Sequence, residues 1–175
     1  MNLQTIALVL GLFTVDNIEA NKGCVQVTVN PGNDNEDVGY RKDQIVAFHA
    51  LMTKRINPEK QQTLVFDEVK TNKGDGYNKN TGEFVAPVSG FYVFIYIIRM
   101  FSAEHSTEIV INNTVYGSTF LRAKNGDDDH VSGTAVAYVS KGDKVFLRNH
   151  HAFKGDGYYN TNIHGQSTFS GWLLH

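Results

Sequence analysis

The sequence predicts an all-β fold of the sandwich or jelly-roll kind, on three observations. In Gly90-Phe91-Tyr92-Val93-Phe94-Ile95-Tyr96 every residue after the glycine is apolar. Strand geometry sends Tyr92, Phe94 and Tyr96 to one face and Phe91, Val93, Ile95 and Ile97 to the other. A strand apolar on both faces belongs at the centre of a two-layer β structure. Second, from Asp43 onward short apolar runs recur at strand-like spacing, separated by Gly, Asn and Asp. Third, helix-favouring runs are scarce, so helix content should be near zero.

Taken in order, the chain opens with Ile6-Ala7-Leu8-Val9-Leu10-Gly11-Leu12-Phe13, which reads as the apolar core of a secretory signal and is too short to span a bilayer. Residues 1–20 are therefore expected to be a signal peptide cut after Ala20. The competing reading is an ordinary buried strand or helix. Residues 21–42 read as a polar N-terminal arm or linker, because Asn30 to Asp43 is rich in turn formers. Residues 43–175 form the domain. Its strands are expected near Ile45–Leu51, Thr63–Phe66, Gly82–Phe84, Phe91–Arg99, Thr107–Ile111, Thr114–Leu121, Gly133–Val139, Lys144–Arg148, Tyr158–Tyr159 and Thr168–Leu174. Asn112-Asn113 is a tight hairpin turn, since asparagine tolerates positive φ. Lys73-Gly74-Asp75-Gly76-Tyr77 is repeated as Lys154-Gly155-Asp156-Gly157-Tyr158, and Lys-Gly-Asp returns at Lys141. A receptor-presented tripeptide is one reading of these; tight turns are the one adopted.

A length of 175 residues suits one domain with an ordinary core. The formal charge of −2 supplies no basic field for nucleic acid or an anionic membrane. Neither nucleic acid binding nor membrane insertion is expected. Cys24 is the only cysteine, so a single chain has no internal disulfide framework. Near a free terminus of a secreted protein it would bridge subunits into a higher oligomer, or remain an inert thiol. Secretion would also make Asn112 of Asn112-Asn113-Thr114 a glycosylation site.

Phe66, Asn72, Tyr77, Phe84, Gly90, Tyr92, Phe94 and Tyr96 form a spaced series, followed by Ser132-Gly133-Thr134-Ala135-Val136, Lys141-Gly142-Asp143-Lys144-Val145-Phe146-Leu147 and Ser167-Thr168-Phe169-Ser170-Gly171-Trp172-Leu173-Leu174. In that order these blocks resemble the globular-head domain family of complement C1q, relatives of the tumour necrosis factor fold, over Asp43 to His175. The resemblance implies a ten-stranded antiparallel jelly-roll sandwich of C1q/TNF type that associates as a homotrimer. The chain carries no Gly-X-Y stalk and no long heptad run, so association would rest on the domain itself. Trp172, Phe169, Tyr92 and Phe94 should be core or trimer interface.

No nucleophile elbow or phosphate-cradling loop is present, and an enzyme is not expected. Lys124-Asn125-Gly126-Asp127-Asp128-Asp129-His130 is the densest group of acidic oxygens, which calcium would favour. The resemblance makes Asp129 a calcium ligand, although the second acidic ligand of that pattern, expected near Leu121, is missing here. His150-His151 invites a metal reading, but neighbours on a strand point to opposite faces and share an ion only where the chain is a loop. An interface or surface role sensitive to mild acid is the alternative. Asn149 to Gln166 mixes His151, Lys154, Asp156 and Tyr158 with amides, a composition suited to sugars and equally to any exposed loop. The ligand-binding set expected is thus Asp127, Asp128, Asp129, His130, His151, Lys154, Asp156 and Tyr158. The resemblance implies a secreted, lectin-like pattern-recognition protein of innate immunity. It would bind microbial polysaccharides or sialylated glycans through loops at one end of the roll, with trimeric display multiplying a weak affinity. Two further readings stay open: an extracellular calcium- or metal-binding structural or matrix protein, and a cytokine-like trimeric receptor ligand.

Overall fold

The computed structural model describes residues 13–21, 24–31 and 45–174, and the chain divides into two units, Met1–Arg41 and Lys42–His175. The first holds β1 (Phe13–Asn21) and β2 (Cys24–Pro31), an antiparallel pair running from Phe13 opposite Pro31 to Asn21 opposite Cys24. A cut after Ala20 would fall inside β1. The rest of the expected signal segment and of the polar arm lies outside the described residues.

The second unit is the domain. It contains β3 (Ala47–Leu51), β4 (Glu68–Lys73), β5 (Tyr77–Asn78), β6 (Glu83–Val85), β7 (Gly90–Ile111), β8 (Thr114–Val139), β9 (Lys144–Asn149), β10 (Asp156–Tyr159) and β11 (Thr168–Leu173). These nine strands hydrogen-bond into one antiparallel sheet, and no helix occurs among the described residues.

Two bends fold that sheet into a jelly roll. Ser102 in β7 adopts φ 46° at a register shift between Phe101 and Ala103, and Gly126 in β8 adopts φ 88°. The Gly126 amide donates to Ser102 Oγ at 2.7 Å, tying the two bends together. Each long strand therefore serves both layers. One layer runs β4-β3-β11, then the first half of β7, then the second half of β8. The other runs from the first half of β8 through the second half of β7 to β9, β6 and β5. Counting the halves separately gives two layers of five strands, the ten-stranded jelly roll expected. The short β10 pairs with β7 across its bend.

The expected alternation holds along β7: Tyr92, Phe94 and Tyr96 are buried and Phe91 and Ile97 are exposed. Two expectations about strands need correction. Thr63–Phe66 makes only a bridge from Thr63 to Arg148, while β4 and β5 were not anticipated. β4 is an edge strand of sequence Glu-Val-Lys-Thr-Asn-Lys, and charged edges block pairing with other chains at the cost of any hydrophobic signature.

The core is aromatic. Phe48 stacks on Tyr77 with ring centroids 4.9 Å apart and meets Phe169 edge-on at the same distance. Such pairs add about 0.5–1.5 kcal/mol each beyond their burial. Glycine is needed where strands pass over these rings: a Cβ at Gly171 would lie 2.6 Å from Phe94, and one at Gly133 would lie 2.2 Å from Tyr96. The Asn72 amide brackets the Tyr77 backbone, donating to its carbonyl and accepting from its N–H, while the Tyr77 hydroxyl bonds the Phe66 backbone. Phe66, Asn72 and Tyr77 thus act together: Asn72 closes the turn that presents the Tyr77 hydroxyl to the Phe66 backbone.

Candidate functional site

Glu108 lies on the second half of β7, opposite Arg148 on β9 and Ser118 on β8. It faces outward from the second layer yet is only 2 % exposed, because β9 and the chain that follows fold over it. Arg148 Nε donates to Glu108 Oε2 at 2.7 Å. His151 Nδ1 lies 2.7 Å from Oε1, and His150 Nε2 lies 3.5 Å from the same oxygen. Burial by itself would raise the Glu108 carboxyl; the hydrogen bonds from His151 and Arg148, with the Arg148 charge, outweigh it and hold the group below its ordinary value.

Adjacent histidines converge here because the strand ends at Asn149. The chain bends after it, and the two imidazoles stack with centroids 4.4 Å apart. Neighbouring histidines were expected to meet only where the chain is a loop, and this bend after β9 is such a place. Both ends of the turn are pinned. The buried Asn149 amide donates to the Lys154 carbonyl at 2.6 Å and to the Glu59 carbonyl at 3.1 Å, and the His150 amide donates to the Ser106 carbonyl. Within it, the Ala152 and Phe153 amides both donate to His150 Nδ1 at 3.1 Å. Accepting them requires a lone pair on Nδ1, so neutral His150 carries its proton on Nε2, facing Glu108.

Among the described residues, Glu108, His150 and His151 are the one group of three such side chains whose donor atoms all lie within 4.8 Å of one another. One carboxylate oxygen and two imidazole nitrogens suit a borderline transition cation such as zinc. Calcium prefers six to eight oxygens.

The expected ligand-binding residues divide between two places. His151 belongs to the Glu108 cluster, and Lys154 nearby pairs with Glu59 at 2.5 Å. The others gather around the bend of β7. Phe101 lies in register with Asp128 on one side and Tyr158 on the other; likewise Met100 faces Asp129 and Tyr159, and Glu104 faces Asp156. Asp128 Oδ2 accepts from Arg99 at 2.5 Å and from the Asn162 amide at 3.2 Å. Asp129 Oδ1 accepts the amide of His130, its own neighbour, and Asp127 and His130 are exposed. The acidic run therefore does not converge: Asp128 turns to an arginine and Asp129 to the amide of His130. Asn160 Oδ1, buried beside Asp128, has no hydrogen-bond partner.

At the sequon, Asn112 adopts φ 53° in the expected hairpin turn. Its amide donates to Asp143 and its oxygen accepts from the Lys144 amide. Glu108 was missed by sequence reasoning; the available signal was a lone acid inside the apolar run Thr107–Ile111.

A C1q domain family model matches residues 47–174. Among curated relatives, the chain is 34% identical to the heavy metal-binding protein HIP of Mytilus edulis, over 80% of this chain and 65% of that protein. It is 29% identical to the mouse complement C1q tumor necrosis factor-related protein 2, over 74% of this chain and 43% of that one. The match thus spans less than two thirds of either relative. Among solved structures, the globular domain of zebrafish complement 1qA superposes with a TM-score of 0.62 at 21% identity, covering 74% of this chain and 98% of that chain. Murine APRIL does so at 0.57 and 9% identity, covering 74% and 99%.

Proposed function

The chain belongs to the C1q domain family, and from that premise we propose that it is a secreted, homotrimeric binding protein that takes a transition-metal ion, of which zinc is the type, at Glu108, His150 and His151. The observation that carries the reading is the convergence of two imidazoles on a carboxylate that is 2 % exposed. The likeness to the heavy metal-binding protein HIP of Mytilus edulis supports it. Glu108 supplies charge, His151 the more exposed nitrogen, and Arg148 holds the carboxylate in place. The role is binding rather than catalysis.

Trimer formation uses the outer face of the first layer. Phe91, Ile97, Val136, Tyr138 and Trp172 are all exposed there in the single chain. An apolar patch of that kind marks a surface to be covered.

Calorimetric titration of the purified protein with zinc chloride tests the metal reading. About one ion per chain should bind, Glu108→Gln or His151→Ala should abolish it, and calcium chloride should give little heat. Absence of zinc binding, or binding indifferent to both substitutions, would sink it.

A second reading, glycan recognition at one end of the roll, is favoured by the row Asp128-Phe101-Tyr158 across three strands. Phe101 is 39% exposed and Tyr158 51%, so two exposed aromatic rings continue the row from Asp128, Phe101 beside it and Tyr158 one strand further. Binding of a polysaccharide array that Tyr158→Ala and Asp128→Asn both weaken would support it; an array blank with and without calcium would remove it.

A further inference from the structure

We infer that a metal ion and the turn at 150–153 compete for His150, so that loading the ion opens the turn and moves Phe153 away from Phe120. The inference rests on the metal reading above and adds its structural consequence. In this structure His150 Nδ1 receives two backbone amides, from Ala152 and Phe153. A neutral imidazole has one nitrogen with a free lone pair and one that carries hydrogen. If Nε2, the atom facing Glu108, gives its lone pair to a cation, the proton it carried must leave and Nδ1 must hold the hydrogen. Nδ1–H would then confront two N–H groups with no acceptor between them. Three N–H groups turned toward one another repel, and because both amides lie at the exposed surface, where water can accept them, the local remedy is for the turn to open.

The same hydrogen bonds that pin the turn confine that change. Asn149 is buried and its amide holds the Lys154 carbonyl, which also bonds His105 Nδ1. The His150 backbone is held too, by the Ser106 carbonyl, so the movable segment is His151 to Phe153. Its last residue is the one with a visible surface role: Phe153 is 39% exposed and lies 6.4 Å from the ring of Phe120, itself 51% exposed. Arg122 also lies over the Phe120 ring, 5.4 Å from its centroid. Phe120 stands opposite Ser106 on β7, two residues from Glu108 on the same outward face. Metal loading would thus alter an aromatic surface on the second layer and leave the β strands beneath it unchanged.

The test is amide hydrogen exchange on the full chain, with and without saturating zinc chloride. The Ala152 and Phe153 amides should exchange about five- to tenfold faster with zinc, the worth of one ordinary hydrogen bond. The Asn149 amide, which donates to the Gln62 carbonyl, should stay protected. In His151→Ala, which removes a ligand without touching the turn's own bonds, zinc should leave both amides unchanged. Zinc that binds by calorimetry while both amides stay as slow as before overturns the inference and leaves a metal site of Glu108 and His151 alone. No zinc heat at all removes the metal reading, and this inference with it. Acceleration that persists in His151→Ala also overturns it, since the ion would be acting elsewhere.

Discussion

The two halves of β7 share one strand, one alternation and one hairpin partner, yet their outward faces are opposites. Outward from the first half stand Phe91 and Ile97, joined by Val136, Tyr138 and Trp172 from neighbouring strands. Outward from the second half stand Glu104 and Glu108, each paired across the ladder with an arginine, Arg122 and Arg148. The inward face of the first half is apolar core, and that of the second sets buried His105 and Thr107, both hydrogen-bonded, among Ala103, Ile109 and Ile111. Alternation fixes which side chains go inside and leaves the outer face free to differ: apolar and unpaired on one layer, charged and paired on the other.

The contrast breaks most visibly on the first face. Val136, 61% exposed, should tolerate Val136→Arg in the isolated chain within about 0.5 kcal/mol. In a trimer that buries the same position it would place an unpaired charge in an apolar contact, costing several kcal/mol. Light scattering should therefore report one-chain mass for the variant against three-chain mass for the wild type. A variant that stays trimeric would put the subunit contact elsewhere.

A smaller effect is expected on the second face. Glu108→Ala should destabilise the domain by about 3 kcal/mol, the low end for a broken buried pair because Arg148 keeps some contact with solvent. Since Glu108 titrates below its ordinary value in the folded state, its contribution is present at neutral pH. It is lost as pH falls below the ordinary glutamate value of about 4.3 toward the depressed one. Urea melts of wild type and variant should accordingly converge on acidification, and a constant gap down to low pH would contradict the electrostatic account.

The smallest change sharpens the comparison within that face. Arg122 and Glu104 are paired at 2.5 Å with side chains 48% and 32% exposed. Arg122→Ala should cost no more than about 1 kcal/mol in the same melts, as exposed pairs do. A loss as large as that at Glu108 would mean the charged face acts as one network.

How much of this was legible beforehand follows from the range over which each signal acts. The faces of β7 were readable because alternation is local, and the turn at Asn112 because positive φ favours few residue types. β4 was hidden because an edge strand needs no apolar pattern. The cluster at Glu108 was not legible, because it depends on a register between β7 and β9 and on a bend that brings neighbouring imidazoles together. The acidic run showed the reverse failing: oxygens adjacent in sequence turned to separate partners, Asp128 to Arg99 and Asp129 to its neighbour's amide.

The continuity of β7 and β8 carries a kinetic consequence. Their pairing begins at Ile111 opposite Thr114, beside the turn, and continues through two register shifts, at Ile109/Val110 and at the bends, to Gly90 opposite Val139. The earliest contacts close a very short loop, and each later pair is brought near by the one before, so the hairpin can zip outward from Asn112 at little entropic cost per step. Because the side-chain period is two, a slip of one residue at the turn would invert both halves together, burying the ion pairs and exposing the aromatic core. Registry of the whole roll is thus decided early, at its tightest turn, before the more distant strands arrive.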